Sequence, residues 1–289
     1  MPRHGSLALW VVLAALLLCG QPALALDPST KGAAAAEVGQ DAGTTETPAE
    51  HPRGPYRSLK VSVGYHFSSG DYGESEKTII HYVPLVLTGE ISRWSVQLTV
   101  PYLSISGPAA FIDAGPVGPI QSDGDGDGLG DVLLRASYLL PWREQWPAWI
   151  PYIGLAGLVK FPTASRDDGL GTGAFDFGVE SELTWIVQPV TPFATLGGRF
   201  LGDLPDTNLR NIFIASVGAA YQVLDTGSAG LLCDYRQRSS ASSGERLELV
   251  PFGSWRFLRP WSLEAYASAG LADGSPDVGV GIQLGYTWR

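Results

Sequence analysis

From Tyr56 onward the chain repeats one rhythm: a stretch of about ten residues alternating apolar and polar, then a turn. Trp94, Val96, Leu98, Val100 and Tyr102 share one parity, with Ser95, Gln97 and Thr99 on the other. Phe175, Phe177, Val179, Leu183 and Trp185 oppose Asp176, Gly178, Glu180 and Glu182. Leu231, Cys233 and Tyr235 oppose Asp234, Arg236 and Arg238, and Val278, Val280, Ile282, Leu284, Tyr286 and Trp288 oppose Gly279, Gly281, Gln283 and Thr287. A period of two puts each set on one face of a strand. One face is apolar with aromatic ends and the other is polar or glycine, the lipid-out, lumen-in alternation of a transmembrane β-barrel.

The rhythm predicts twelve antiparallel strands, near 57–67, 78–88, 94–104, 131–140, 149–161, 174–185, 191–200, 212–223, 228–238, 246–257, 261–269 and 278–288. An even count suits a single-chain bacterial barrel. Connections alternate as well: 89–93, 224–227 and 258–260 are short, whereas 105–130, 162–173 and 201–211 are long. Short turns on the periplasmic side and long loops outside give that alternation, which a two-sheet sandwich does not readily produce. Two features pull the other way. Pro84 and Pro251 fall inside proposed strands, where each removes a ladder hydrogen bond unless it lies at a bulge. The stretches 78–88 and 149–161 are apolar at both parities, which leaves their facing open.

The N-terminus adds the compartment. Arg3 and His4 precede an apolar run over 7–18, and Ala23-Leu24-Ala25 fits a signal-peptidase site. Residues 1–25 read as a signal peptide with the mature chain starting at Leu26; Leu18 stands where a lipoprotein signal ending at Cys19 needs a small residue. Residues 26–55 are rich in Ala, Thr, Glu, Gly and Pro without apolar period, and read as a flexible periplasmic leader before a barrel over 56–289. Once the signal is removed only Cys233 remains, so no intramolecular disulfide forms. Closure of a barrel in lipid, with every backbone group paired, is one source of stability for such an exported chain; a soluble periplasmic sandwich is the other. The net charge of −10 argues against nucleic acid as a partner. The alternating ending Leu284, Tyr286, Trp288, followed by Arg289, resembles the closing-strand signal read by the bacterial barrel-assembly machinery. The expected setting is thus the outer membrane of a Gram-negative-type envelope, with the lipid bilayer, the assembly machinery and a small-molecule solute as partners.

Several short motifs keep a fixed order: Val100-Pro101-Tyr102, then Gly128-Leu129-Gly130-Asp131-Val132 with alternating Leu134, Ala136 and Tyr138, then Phe161-Pro162-Thr163 and Gly169-Leu170-Gly171-Thr172-Gly173. In this order and spacing, across about 60–288, the chain resembles the outer-membrane proteins named after the meta-pathway of phenol degradation, often labelled transporters. The resemblance implies an outer-membrane barrel that moves small, often hydrophobic compounds. It implies no catalytic residues and leaves the substrate open.

Candidate chemistry is sparse. Asp123, Asp125, Asp127 and Asp131, interleaved with glycines, match much of a calcium loop, although Leu134 occupies the position of the closing bidentate Glu. Weak Ca²⁺ binding on the outer side and a plain turn-rich loop are both open readings, and the first makes 105–130 the binding loop of a structural, calcium-modulated surface barrel. His66 and Ser68 share a strand face at the spacing used by outer-membrane lipid hydrolases. That face also carries Lys60, Ser62 and Gly64 and is assigned to the lumen, away from lipid. His81 is a candidate neighbour of His66 in the first hairpin. No cofactor and no enzyme activity are otherwise implied. Lys160, Asp176, Glu180, Glu182, Arg199, Asp234, Arg236, Arg238, Glu248 and Arg256 fall at lumen parity. They either set a selectivity field or form cross-strand ion pairs, and their mixed signs favour neither anions nor cations. Trp94, Trp149, Trp185, Trp255, Trp261 and Trp288 lie near strand ends, as an interfacial belt requires. The function expected is passive movement of small, hydrophobic or aromatic solutes through an outer-membrane channel.

Overall fold

The computed structural model describes residues 57–107, 111–113, 119–121, 124–141, 146–147, 149–202, 209–240 and 243–288. The expected signal peptide and leader, together with Asp123 and Arg289, lie outside them. The strands in chain order are β1 (Arg57–Gly70), β2 (Thr78–Ile91), β3 (Trp94–Ser106), β4 (Phe111–Asp113), β5 (Pro119–Gln121), β6 (Gly126–Leu129), β7 (Val132–Leu139) and β8 (Tyr152–Phe161). They continue with β9 (Asp176–Thr184), β10 (Val190–Phe200), β11 (Ile212–Leu224), β12 (Gly227–Arg236), β13 (Arg246–Leu258), β14 (Trp261–Gly270) and β15 (Val278–Trp288). Twelve of them, β1–β3 and β7–β15, pair neighbour to neighbour, and β15 returns to pair antiparallel with β1 from Leu59↔Trp288 to Ser69↔Val278. The sheet is a closed twelve-stranded antiparallel barrel.

Every expected strand is present. The largest displacements are at three ends, 67 against Gly70, 88 against Ile91 and 149 against Tyr152. The long connection 105–130 holds three further short strands: β4 pairs with β5, and β6 pairs with the end of β3 from Tyr102↔Leu129 to Ile105↔Gly126. β3 therefore has two partners on one side, β7 for Trp94–Thr99 and β6 above it.

The prolines sit in the wall without a bulge. Pro84 pairs with Pro101 of β3, while on the β1 side the ladder skips from Val63↔Leu85 to His66↔Tyr82 and resumes in the same register. Pro251 pairs with Leu231, and the β13–β14 ladder likewise skips from Leu249↔Ala269 to Phe252↔Tyr266. A missing N–H interrupts pairing on one side only, and the ladders beyond it hold the strand in place.

Burial settles the facing of both doubtful strands. In β2, Ile79, Val83, Leu85 and Leu87 point out, and Thr78, Ile80, Tyr82, Val86 and Thr88 are buried inside. In β8, Leu155 points out, and Tyr152, Ala156 and Lys160 point in. The outer surface is an apolar belt in which a mid-strand residue such as Val217 is 60% exposed. Trp94, Trp149, Trp185, Trp255, Trp261 and Trp288 all lie at the short-turn end; Trp185 donates its indole N–H to the Trp149 carbonyl at 2.9 Å, and Trp261 and Trp288 pack on Tyr286. Amphipathic rings gathered at one rim match a membrane–water interface.

Candidate permeation path and its lining

The lumen wall is built from the buried parity of each strand, and its charges are tied to one another. Arg135 of β7 lies over β8 and donates to Glu180 at 2.8 Å and to Glu182, both on β9. The inward residues of β8 along that path are Gly154 and Ala156, paired with Glu182 and Glu180 across the β8–β9 ladder. Small side chains on the middle strand are what let the guanidinium reach across it. Arg199 of β10 closes the group with a 2.5 Å bond to the other oxygen of Glu180. A second cluster lies at the long-loop end, where Lys160 bridges Asp176 at 2.7 Å and Asp131 at 3.2 Å and donates to Thr172. Arg236 pairs with Asp234 at 3.3 Å, and Arg246 pairs with Glu248.

Toward the short-turn end Lys60 of β1 crosses β15 to reach Glu264 of β14 at 2.9 Å. Gly285 lies under that crossing: a Cβ there would stand 2.5 Å from Lys60 Cε and 2.9 Å from Ser262 Oγ. Gly285→Val should push Lys60 off Glu264 and lower stability by about 1–3 kcal/mol, the usual range for overpacking. Urea unfolding in lipid vesicles, followed by tryptophan fluorescence, reads the shift; an unchanged midpoint would show that the crossing is not held by packing.

The sequence-derived candidates divide accordingly. Lys160, Asp176, Glu180, Glu182, Arg199, Asp234, Arg236 and Glu248 lie in the wall, each with an ion-pair partner. Arg256 keeps inward parity near the short-turn end of β13. Arg238 lies two residues past the end of β12 and is exposed, so it belongs to the loop and not to the wall. Sequence reasoning passed over Arg135, Glu264 and Arg246. Arg135 had a signal, since it alternates with the outward Leu134, Ala136 and Tyr138.

Among the described residues, the aspartates of the loop do not converge. Asp125 is exposed and accepts the Gly107 N–H, Asp127 is exposed and accepts the Tyr102 hydroxyl, and Asp131 is buried against Lys160. Asp125 and Asp127 share the outer face of this stretch, the alternation breaks at Gly130, and Asp131 turns inward, where its charge is already paired with Lys160. Among the described residues no three His, Cys, Asp or Glu side chains are grouped to hold a metal. The glycine-rich motifs instead form one unit at the barrel mouth. Asp131 accepts the Ala164 N–H at 2.9 Å, Val132 N–H donates to Thr163 Oγ1, and Thr163 Oγ1 donates to the Gly130 carbonyl. These bonds fold the β8–β9 loop inward, so that Leu170 is buried with Tyr72, Ile80, Tyr82, Leu103 and Ile105. Burial there pushes the Tyr72 phenol up to about 12 and keeps it neutral, donating or accepting with Ser68 Oγ at 2.8 Å.

His66 and Ser68 face the lumen, as their parity required, with separate partners: His66 Nδ1 meets the Tyr266 hydroxyl at 3.0 Å, and Ser68 meets Tyr72. His81 is not across from His66. Tyr82 holds that position, and His81 points outward beside Tyr65 and Phe67, bonded to the Tyr65 hydroxyl at 2.8 Å. One apolar cluster interrupts this polar wall, formed by Phe193, Ala220, Leu232, Val250 and Phe252 with Tyr266 against them.

Among solved structures the fold is similar to that of the COG4313 outer membrane channel from Pseudomonas putida F1. That match has a TM-score of 0.66 at 16% identity and covers 84% of this chain and 100% of that one. Lower similarity extends to the KdgM porin, with TM-score 0.48, 10% identity and 79% and 100% coverage of the two chains. The CymD monoaromatic hydrocarbon channel has TM-score 0.41, 11% identity and 81% and 88% coverage. No curated protein matches the chain. A family model described as "Putative MetA-pathway of phenol degradation" matches residues 78–288, from the second barrel strand to the last, and the chain belongs to that family.

Proposed function

We propose that this outer-membrane barrel is a passive channel for small solutes with an apolar or aromatic portion, and not an enzyme. The observation that carries the reading is the lumen wall itself. Six cations, Lys60, Arg135, Lys160, Arg199, Arg236 and Arg246, are each bonded to one or more of the carboxylates of Asp131, Asp176, Glu180, Glu182, Asp234, Glu248 and Glu264. Charges tied pairwise leave little net field for selecting ions. The half-buried rings of His66 and Tyr266, with Tyr266 packed against the apolar cluster around Phe252, then supply a surface for a solute's apolar side. The channel named among the similar structures supports the same reading. A phospholipid hydrolase needs its nucleophile on the lipid side, whereas Ser68 faces inward, so that alternative falls behind. Leu284 and Trp288 face outward on the strand that closes the barrel, which suits a signal for the assembly machinery.

Purified protein in proteoliposomes should admit a neutral pentose such as arabinose in a swelling assay. In planar bilayers under a salt gradient its reversal potential should stay close to zero. Absence of swelling with correctly folded protein would sink the channel reading, and a strong cation or anion preference would sink the balanced-lumen account.

A further inference from the structure

The inward aromatic residues are not scattered; the barrel's register puts them in one row. Tyr82 pairs with His66, His66 with Gly281, and Gly281 with Tyr266. Tyr266 then pairs with Phe252, Phe252 with Gly230, Gly230 with Ala220, and Ala220 with Thr191. Eight neighbouring strands, β2, β1 and then β15 back to β10, thus contribute directly paired residues to a single line. Its position along the strands drifts because barrel strands are staggered. Tyr82 and His66 lie toward the long-loop ends of β2 and β1, while Thr191 is the second residue of β10 at the short-turn end. The row therefore descends as it winds around the lumen.

The rings along it touch. His66 lies between Tyr82 and Tyr266, with centroids 5.3 and 5.5 Å away, and Phe252 meets Phe193 at 6.2 Å. His66, Tyr266, Phe252 and Phe193 also lie over the wall, because each is paired with a glycine. A Cβ at Gly281 would collide with Tyr266 and His66, one at Gly230 with Phe252, and one at Gly218 with Phe193 at 2.5 Å. Three separate glycines seating four rings is a pattern of construction. Rings seated this closely on backbone are held in place, and they tilt 32 to 57° to one another, which leaves faces and edges for offset or edge-to-face contact with a further ring. His66 and Tyr266 are half-buried and form the accessible stretch; Phe252 and Phe193, at 5 and 2% exposure, continue it within the apolar cluster. The rest of the wall, on β3 and β7–β9, carries Gln97, Thr99, Ser137, Thr184 and the Arg135 group.

We infer that this row is an aromatic binding track, taking a planar ring on the β14–β1 side while the solute's polar groups are met by the opposite wall. The track rests on the channel reading above and adds to it a discrimination: a flat aromatic ring over a saturated ring of the same size. Stacking favours the flat π-face, whereas simple apolar burial treats the two rings alike.

Proteoliposome swelling with matched zwitterionic solutes tests it. L-phenylalanine and L-cyclohexylalanine differ only in ring saturation, and glycine reports whether the pore passes amino acids at all. The wild-type protein should admit phenylalanine roughly two- to tenfold faster than cyclohexylalanine. The ratio should fall to about one in His66→Leu/Tyr266→Leu, and Tyr266→Phe, which keeps the ring, should retain most of it. Phe213→Leu, on the outward face, should leave the ratio as in wild type; a fall there as well would assign the discrimination to general loosening and overturn the track. Glycine uptake with a wild-type ratio near one, or a ratio that survives the double substitution, overturns the track and leaves the channel standing. No uptake of glycine by heat-modifiable, folded protein overturns the channel and the track together.

Discussion

Arg135→Met should destabilise the folded barrel by about 3–5 kcal/mol, the loss expected when one partner of a buried ion group is removed and charge is left behind. Arg135 is 3% exposed, and the side chains of Glu180 and Glu182 are 0 and 1% exposed, so water gives these groups little relief. Glu180 keeps Arg199 as a partner, but Arg135 is the cation bonded to Glu182. The double substitution Arg135→Met/Glu182→Gln should recover much of the loss, because neutralising the stranded carboxylate removes the main penalty. Urea unfolding midpoints in vesicles, read by tryptophan fluorescence, separate the three proteins. A single substitution that costs less than about 1 kcal/mol would mean the group is solvated from the lumen and behaves as a surface pair.

The same group shows why the fold was more legible than the site. Strand positions follow from a period of two that each segment carries by itself, and lipid on the outside makes the apolar parity unambiguous wherever the inner parity is polar. Ion partners are set by neighbours in the sheet. Arg135 and Glu180 are 45 residues apart with a whole strand between them, and no local spacing announces that contact. Asp131 misled for the converse reason. Its spacing from Asp125 and Asp127 fits a metal loop, but pairing of β7 with β8 brings Lys160 beside it, and a neutralised carboxylate held by the Ala164 amide is no longer a free ligand. Arg238 misled by two residues, since alternation continued past the point where β12 ends. The glycine motifs were legible as a signature and silent about their purpose, which is to let one loop pack into the mouth above β1–β3. The aromatic row was invisible from sequence alone, because Tyr82, His66, Tyr266 and Phe252 become neighbours only once all the hairpins are in register.

Val217→Arg tests the outward face with the second large effect. Val217 lies mid-strand on β11, outward and 60% exposed, paired with Ala194 and Cys233 on its two neighbours. An arginine at the lipid-facing midplane of a barrel costs about 2–4 kcal/mol, since no water is available to the guanidinium there. The adjacent Ser216→Arg turns the same charge inward, opposite Asp234, into a polar recess lined also by Glu180, Thr195, Arg199 and Arg236, and should be the milder change. If the belt faced water, as in a soluble sandwich, the order would reverse. An arginine at an exposed position would then be nearly neutral, within about 0.5 kcal/mol, and the buried position would carry the penalty. One residue's step along the strand thus separates the two environments, and unfolding both variants in the same lipid vesicles decides which side of β11 meets the bilayer.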